Sequence, residues 1–269
     1  MLWEEGVLKH KNKNFPFLKY GNGKRIVICF HGMHSNPKAF HFLQKHLINE
    51  YTFINCYLPH HHPQGINNYK TIKPEELMAY IQGLRNNFKI EKFDLWGHSL
   101  GARFCLKIVE LQGDWVERLI LFTPDGIAKN PWYNFATNTA MGRYIFKNFV
   151  KNPIKYIQII EKLRLSSKNK LIFAKRISNK PEFLEKVFKT WTSMHYLVIF
   201  LSVVKRSIKK NAITGHIFAG KHDNLIPIKP LKKFTENNTS IRLHIFEKDH
   251  NILHENFENE FLNYLKQNK

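Results

Sequence analysis

The sequence predicts an α/β protein with a mostly parallel central sheet, helices on both faces and an inserted helical segment. Three observations predict it. Short apolar, β-branched runs alternate with helical patterns before residue 126 and again after residue 211. The runs "KRIVICF" (24–30) and "VERLILFTP" (116–124) read as strands buried on both faces. Between 127 and 210 the alternation stops and only helical pieces remain.

The elements follow in order. Residues 2–9 and 14–20 alternate weakly and read as two edge strands joined by the polar turn "KNKN". After strand 24–30, "HGMHSNPKAF" is a loop leading into a helix over 37–50. Residues 51–59 form the next strand, and "HHHPQGINNY" is loop. Residues 73–88 are helical, with Pro74 and Glu75 early and apolar residues at helical spacing. A strand at 92–96 leads to a helix from Ser99, and strand 116–124 follows. Over 127–210 the helical pieces are broken at Pro131, Pro153 and Pro181. The alternation resumes with strand 212–220, a helix near 229–236, strand 240–248 and a final helix ending near Lys266. The insertion thus follows the sixth strand of the series. It divides the chain into a sheet domain, 1–126 and 211–269, and a helical domain, 127–210.

The 269 residues are 43% hydrophobic, enough for one large domain with a well-buried core. An aromatic content of 14% excludes a disordered chain. The start, "MLWEEGVLKHKNKNF", lacks the basic, apolar and small-residue succession of a signal peptide. The longest apolar run, "YLVIFLSVV" (196–204), is too short to span a bilayer. Cys29, Cys56 and Cys105 fall in apolar strand- or helix-like surroundings. Their odd number and settings point to reduced, buried thiols in a cytoplasmic protein.

The formal net charge is +21, and it is unevenly placed. Residues 127–210 hold 18 Lys and Arg against 3 Glu, a net +15. The plain reading is a solvated lysine-rich face. A second reading is a docking face for an anionic carrier or substrate. Contact with a membrane surface is a weaker third. No nucleic-acid-binding motif accompanies the charge.

The stretch that carries chemistry is "FDLWGHSLGARFCLKIVE" (93–110), where a strand meets a Gly-His-Ser-Leu-Gly turn and then a helix. A serine hydroxyl is a poor nucleophile unless a base takes its proton and donors hold the oxyanion. A sharp strand–turn–helix lifts Oγ clear of the sheet edge and aims helix N-terminal N–H groups at the developing charge. Gly97 and Gly101 would make room for that turn around Ser99. An ordinary helix N-cap is the alternative.

Such a turn requires three further parts. "CFHGMHSN" offers an oxyanion loop, in which the Met33 N–H pairs with the Leu100 N–H. "IFAGKHDNLIP" offers Asp223 after a late strand, with Asp125 in "TPDG" as the rival acid. The chain order of serine, acid and histidine favours Asp223. "HIFEKDHNILHE" offers His250 at a strand-to-helix loop, where a base facing Ser99 belongs, with His254 one helical turn later.

Found in this order, "HGMHSN", "GHSLG", "AGKHDNLIP" and "KDHNIL" resemble the α/β-hydrolase superfamily in its lidded, esterase- and lipase-like branch. The resemblance covers nearly the whole chain outside the insertion. It implies a Ser99–His250–Asp223 triad, no metal and no organic cofactor, and a helical cap at 127–210 over the active site. It implies a carboxylesterase-like serine hydrolase acting on a small-molecule or carrier-bound acyl ester, or a thioester. A C–C bond hydrolase or lyase of the same fold, or an inactive hydrolase-fold binding protein, are the alternatives. Epoxide hydrolases and dehalogenases of the superfamily carry Asp where this chain has Ser99. The family usually places a small residue before the catalytic histidine, where this chain has Asp249.

Two further features have expectations attached. Three adjacent histidines, His60 to His62, cannot all face one ion from an extended chain, and no suitably spaced acid or cysteine lies near. The family places a Gly- and His-containing loop here, at the mouth of the site. Trp132, Tyr133, Phe135, Phe146 and Trp191 are expected to line an acyl channel.

Overall fold

The computed structural model describes residues 3–33, 35–128, 130–163, 175, 178–236, 238–254 and 257–267. Eight strands form one sheet: β1 (Glu4–His10), β2 (Lys13–Tyr20), β3 (Arg25–Phe30), β4 (Tyr51–Cys56), β5 (Phe93–His98), β6 (Val116–Phe122), β7 (Thr214–Gly220) and β8 (Ile241–Phe246). Their spatial order is β1-β2-β4-β3-β5-β6-β7-β8. β2 runs antiparallel to both β1 and β4, and every pairing from β4 through β8 is parallel.

The central strands are apolar because both their faces are covered. Every residue of β4 and of β5 is buried. Successive side chains of a strand point to opposite faces. On one face, Trp96 and Phe122 join Phe40, Leu43, Phe257 and Phe261 in the main core cluster. On the other, a Cβ at Gly97 would touch Ala102 and Cys105 of the helix α3 (Gly101–Gln112). Helices therefore cover both faces.

Register positions the strand ends. Phe30 lies opposite Gly97, His98 opposite Phe122, Phe122 opposite Phe218, and Gly220 opposite Phe246. The carboxyl ends of five parallel strands thus end nearly level. In open α/β sheets these ends are where ligands bind.

The helices depart from expectation in one place. The helix expected over 37–50 is a 3-10 turn, Pro37–Phe40, followed by one short α-helical turn, α1 (His41–Gln44). Residues 46–50 continue in tight turns bonded three residues back, His46 to Leu43, Leu47 to Gln44 and Glu50 to Leu47. The Gln44 side chain is drawn inward to Asn55 Oδ1 at 2.7 Å, and the Ile48 carbonyl is taken by the Asn22 amide at 3.1 Å. These ties to β4 and to the loop after β2 replace a continuous helical ladder. α2 (Pro74–Phe88) and α3 fall where the periodicity places them.

Two units divide the chain. The first holds Met1–Asn67, Pro74–Lys129 and Leu197–Lys269; the second holds Asn68–Lys73 and Asn130–Tyr196. Within the second unit, α4 (Pro131–Asn138), α5 (Ala140–Lys151), α6 (Pro153–Lys162) and α7 (Pro181–Ser193) are described. Pro131, Pro153 and Pro181 stand in first turns, where a missing N–H is harmless, so each proline opens a helix. Tyr133, Phe146, Phe188 and Trp191 pack on one another with ring centroids 5.1–5.8 Å apart. Tyr133 is buried and the other three are half-buried, whereas Trp132 is more than half exposed. Residues 68–73 join through the Ile72 amide on the Ser193 carbonyl at 2.7 Å.

The helix α8 (Leu201–Lys210) belongs to the sheet unit, although it lies inside the span 127–210 assigned to the insertion. Its Ser207 hydroxyl donates to the Val109 carbonyl of α3 at 2.6 Å, and its Val204 and Ile208 are fully buried. Two further helices, α9 (Ile228–Thr235) and α10 (Glu258–Gln267), complete the sheet unit.

Candidate active site

Ser99 stands at the apex of the turn between β5 and α3. Its backbone is left-handed, with φ of 48°, which costs a non-glycine residue roughly 1–2 kcal/mol. The turn is tied on both sides. The Ser99 amide donates to the Phe122 carbonyl at 2.9 Å, and the Ser99 carbonyl accepts from the Ala102 and Asp125 amides at 3.0 and 3.1 Å. The flanking glycines are needed. A Cβ on Gly97 would come within 2.8 Å of Ala102 Cα and Cys105 Sγ, and one on Gly101 would collide with the Phe30 carbonyl.

The loops after β5, β7 and β8 bring three predicted residues together. Ser99 Oγ lies 2.9 Å from His250 Nε2, and His250 Nδ1 lies 2.8 Å from Asp223 Oδ2. A carboxylate only accepts, so Nδ1 carries the proton of the neutral ring and Nε2 is left to accept from the serine hydroxyl. The Asp223 side chain is 1% exposed. Its second oxygen, Oδ1, accepts from the Leu225 and Ile226 amides at 2.7 and 2.8 Å, which fixes the carboxylate plane.

Backbone bonds hold the acid loop to the histidine loop. The Lys221 amide donates to Phe246 and the His222 amide to Lys248, at 2.7 and 2.9 Å. Gly220 permits the approach, because a Cβ there would collide with the Asp249 carbonyl. Asp249 itself is exposed, and its carboxylate accepts from the Asn251 amide at 2.9 Å. His254 lies in the turn that leads to α10, its carbonyl accepting from the Phe257 amide at 2.9 Å.

The rival acid is engaged elsewhere. Asp125 takes a bidentate pair from Arg103, Nε at 2.7 Å and Nη2 at 3.2 Å. Thr123 was not expected at the site. It is fully buried with φ of 40°, its amide donates to Phe218 at 2.7 Å, and its hydroxyl donates to the His250 carbonyl at 3.2 Å. The signal for it was the "TPDG" closing β6, in which Asp125 is the more conspicuous residue.

On the oxyanion side, Gly32 lies against the elbow. A Cβ there would sit 3.5 Å from Ser99 Cβ and 2.7 Å from His98 Nδ1. Met33 follows it directly, and Leu100 precedes the first turn of α3. Among the described residues neither the Met33 nor the Leu100 amide donates to a protein acceptor. His98, next to the nucleophile, is buried with both ring nitrogens unpartnered among the described residues. Burial, reinforced by the nearby His250, pushes its pKa down to about 3. It stays neutral at any working pH.

Other chemistries find less support in the side chains present. Burial raises the Cys56 thiol to about 12 and lifts Cys29 and Cys105 well above their ordinary value, so none is a ready thiolate. Among the described residues no group of three His, Cys, Asp or Glu is placed to hold a metal ion. In the triple-histidine stretch, His61 faces two carbonyls and His62 faces Glu5. No described helix is long and apolar enough to cross a membrane.

No family model and no curated protein sequence matches the chain. Solved structures do match it. A thioesterase domain from the curacin biosynthetic pathway is similar over 99% of this chain and 100% of its own length, with a TM-score of 0.66 and 15% identity. The chain has the α/β-hydrolase fold. A carboxylesterase structure from the ammonia-oxidizing thaumarchaeon Nitrososphaera gargenis covers 97% of this chain and 98% of its own, with a TM-score of 0.68 and 14% identity. A serine hydrolase from the bacterium Cycloclasticus zankles covers 98% of each chain, with a TM-score of 0.64 and 14% identity. At these identities the α/β-hydrolase fold is what the proteins share, and the chemistry has to be argued from the residues of this chain.

Proposed function

We propose that this protein is a serine hydrolase that cleaves a carboxylic ester through an acyl-enzyme on Ser99. The observation that carries the reading is the continuous contact Ser99 Oγ–His250–Asp223, at 2.9 and 2.8 Å, on a strained turn. His250 Nε2 takes the hydroxyl proton as Oγ attacks the acyl carbon. Asp223 orients the ring and stabilises the imidazolium that forms. The Met33 and Leu100 N–H groups hold the oxyanion. His250 then gives its proton to the leaving alcohol, and water activated by the same ring releases the acid. Neutral His98 adds no competing positive charge beside that imidazolium.

A thioester or a carrier-bound acyl ester would use the same parts. Residues 130–196 hold 13 Lys and Arg against 3 Glu, a net +10, which suits an anionic carrier docked on the helical segment as it suits the plain reading of a solvated lysine-rich face. The three free, buried thiols accord with a cytoplasmic protein. A C–C bond hydrolase would break a different bond with the same parts, a lyase would form no acyl-enzyme and consume no water, and an inactive binding protein would not turn over at all. A panel of p-nitrophenyl esters and acyl thioesters separates these. Turnover by the wild type, lowered at least about 10⁴-fold in Ser99→Ala, is the expected result. A folded wild type that turns over no member of the panel would put the binding-protein reading ahead.

A further inference from the structure

The loop that carries Met33 leaves β3 and has no ladder of its own. The Ser35 amide donates to the Gly32 carbonyl at 3.2 Å, and imidazoles reach the Gly32 and Met33 carbonyls as well. His31 is fully buried, and its Nε2 accepts from the Leu58 amide at 3.2 Å. That contact places the proton of the neutral ring on Nδ1, which donates to the Gly32 carbonyl at 2.8 Å. The Met33 carbonyl lies 2.8 Å from His61 Nε2. In a trans peptide the C=O and N–H point opposite ways. The Gly32 carbonyl shares its peptide plane with the Met33 N–H, so a bond to the one aims the other. With the Met33 carbonyl also held, the peptides on both sides of Met33 are fixed.

His61 is itself braced. Its Nδ1 lies 2.8 Å from the Pro59 carbonyl. Both partners are carbonyls, so a ring nitrogen bonds either one only when it carries the proton, and the neutral ring with its proton on Nε2 donates to Met33. The preceding residue, His60, is left-handed with φ of 62°, a conformation that persists only where its surroundings impose it. Here they do. Asn67, fully buried, donates to the Leu58 carbonyl at 2.7 Å and accepts from the His62 amide at 3.3 Å, while its own carbonyl accepts from the His60 amide at 3.3 Å. The His31 and His61 rings meet edge to face, 5.0 Å apart.

We propose that His61 is a positioning residue for the oxyanion hole, a strap from the loop after β4 that holds Met33 where its N–H can meet the charge developing at Ser99. The inference rests on the reading of Ser99 as nucleophile. An apolar ring of similar volume would fill the same space but could not hold the carbonyl. His31 and the Ser35 amide together set the peptide plane before Met33, and His61 holds the Met33 carbonyl that follows it.

The test uses His61→Phe, which keeps the packing, and His61→Gln, which keeps a donor. Two readouts are taken at one pH. The first is inhibition by a trifluoromethyl ketone, which becomes an oxyanion when Ser99 adds to it. The second is the Met33 amide resonance in protein labelled with [15N]methionine, assigned through Met33→Leu. In His61→Phe the inhibition constant is expected to rise about tenfold with kcat falling in step, because small displacements of a donor are heavily felt. KM for a small ester stays within about twofold. The Met33 resonance shifts or broadens, and His61→Gln lies closer to wild type in both readouts. A ketone constant unchanged in His61→Phe would overturn the proposal, as would a loss explained by thermal stability alone. A wild type that neither turns over esters nor binds the ketone would fail the Ser99 reading. The amide readout still decides the strap in that case, since an unmoved Met33 resonance in His61→Phe overturns it.

Discussion

In the sheet unit, Trp96, Phe122 and Phe218 lie buried between paired strands and the helices that cover them. In the helical unit, Trp132, Met141, Tyr144 and Ile154 are each more than half exposed, among lysines such as Lys147, Lys151 and Lys155. The residue types overlap, but what fixes them differs. A strand side chain has its face set by a two-residue alternation and its level set by register with both neighbours. A residue just past a strand end is therefore placed by its sequence position. A short amphipathic helix fixes only which residues share a side, and its partner is chosen by tertiary packing. The placement of residues at strand ends is legible, and the placement of residues spread over helix faces is not.

The sharpest way to break this comparison is to exchange the two strand-end acids. Asp223→Asn removes the acceptor that sets the His250 tautomer, and kcat is expected to fall about 10⁴-fold with little change in fold. Asp125→Asn leaves Arg103 without its bidentate partner. It should lower stability by on the order of 2 kcal/mol while leaving kcat of the folded fraction within a few-fold. Steady-state kinetics and urea unfolding on both variants decide it. The reverse pattern would move the triad acid to the loop after β6.

The pH dependence of stability sharpens the sheet side of the comparison. His216 on β7 and His244 on β8 meet through Nδ1 and Nε2 at 3.0 Å. Burial, helped by His244 and Arg242, pushes the His216 pKa down to about 4, and burial and Arg242 also lower His244. Each ring is neutral in the fold at a pH where the unfolded chain, near 6.5, would already take a proton. Stability is therefore full above about pH 6.5 and declines as pH falls from there towards 4. Buried His98 acts in the same direction. Calorimetric Tm should hold steady from about pH 8 to 6.5 and then drop, and His216→Gln should flatten the acid limb. A Tm that rises on acidification would contradict the assignment.

The smallest expected effect belongs to the helical unit. Lys147→Glu, Lys151→Glu and Lys155→Glu together should lower kcat/KM for an acyl group on an acidic carrier by about tenfold at low salt and spare a small ester. Equal losses for both substrates would remove the docking reading.

How far the sequence could be read follows the same division. The sheet, the turn at Ser99, and the positions of Asp223 and His250 are legible because each sits beside a strand whose register with its neighbours sets its level. The helix expected over 37–50 fails because Gln44 is claimed by β4 and the Ile48 carbonyl by the loop after β2, which local periodicity does not report. The compact units part at 197 rather than at 210, because the apolar stripe of α8, Val204 and Ile208, would suit either unit and is buried against the sheet unit. Tyr133, Phe146 and Trp191 show aromatic content but not which surface they share; they share it with each other. Thr123 is missed, and His61 is read only as part of a loop, for a further reason. Each makes a hydrogen bond to a distant backbone carbonyl, and no spacing rule encodes such a bond.

The central claim is that Ser99 is an activated nucleophile, and covalent labelling tests it most directly. Wild type and Ser99→Ala would be treated with a fluorophosphonate and digested, and the adduct located by mass spectrometry. A single phosphonyl adduct on the peptide bearing Ser99, absent from the variant, is the predicted result. A well-folded wild type left unlabelled, or labelled equally in Ser99→Ala, would contradict it.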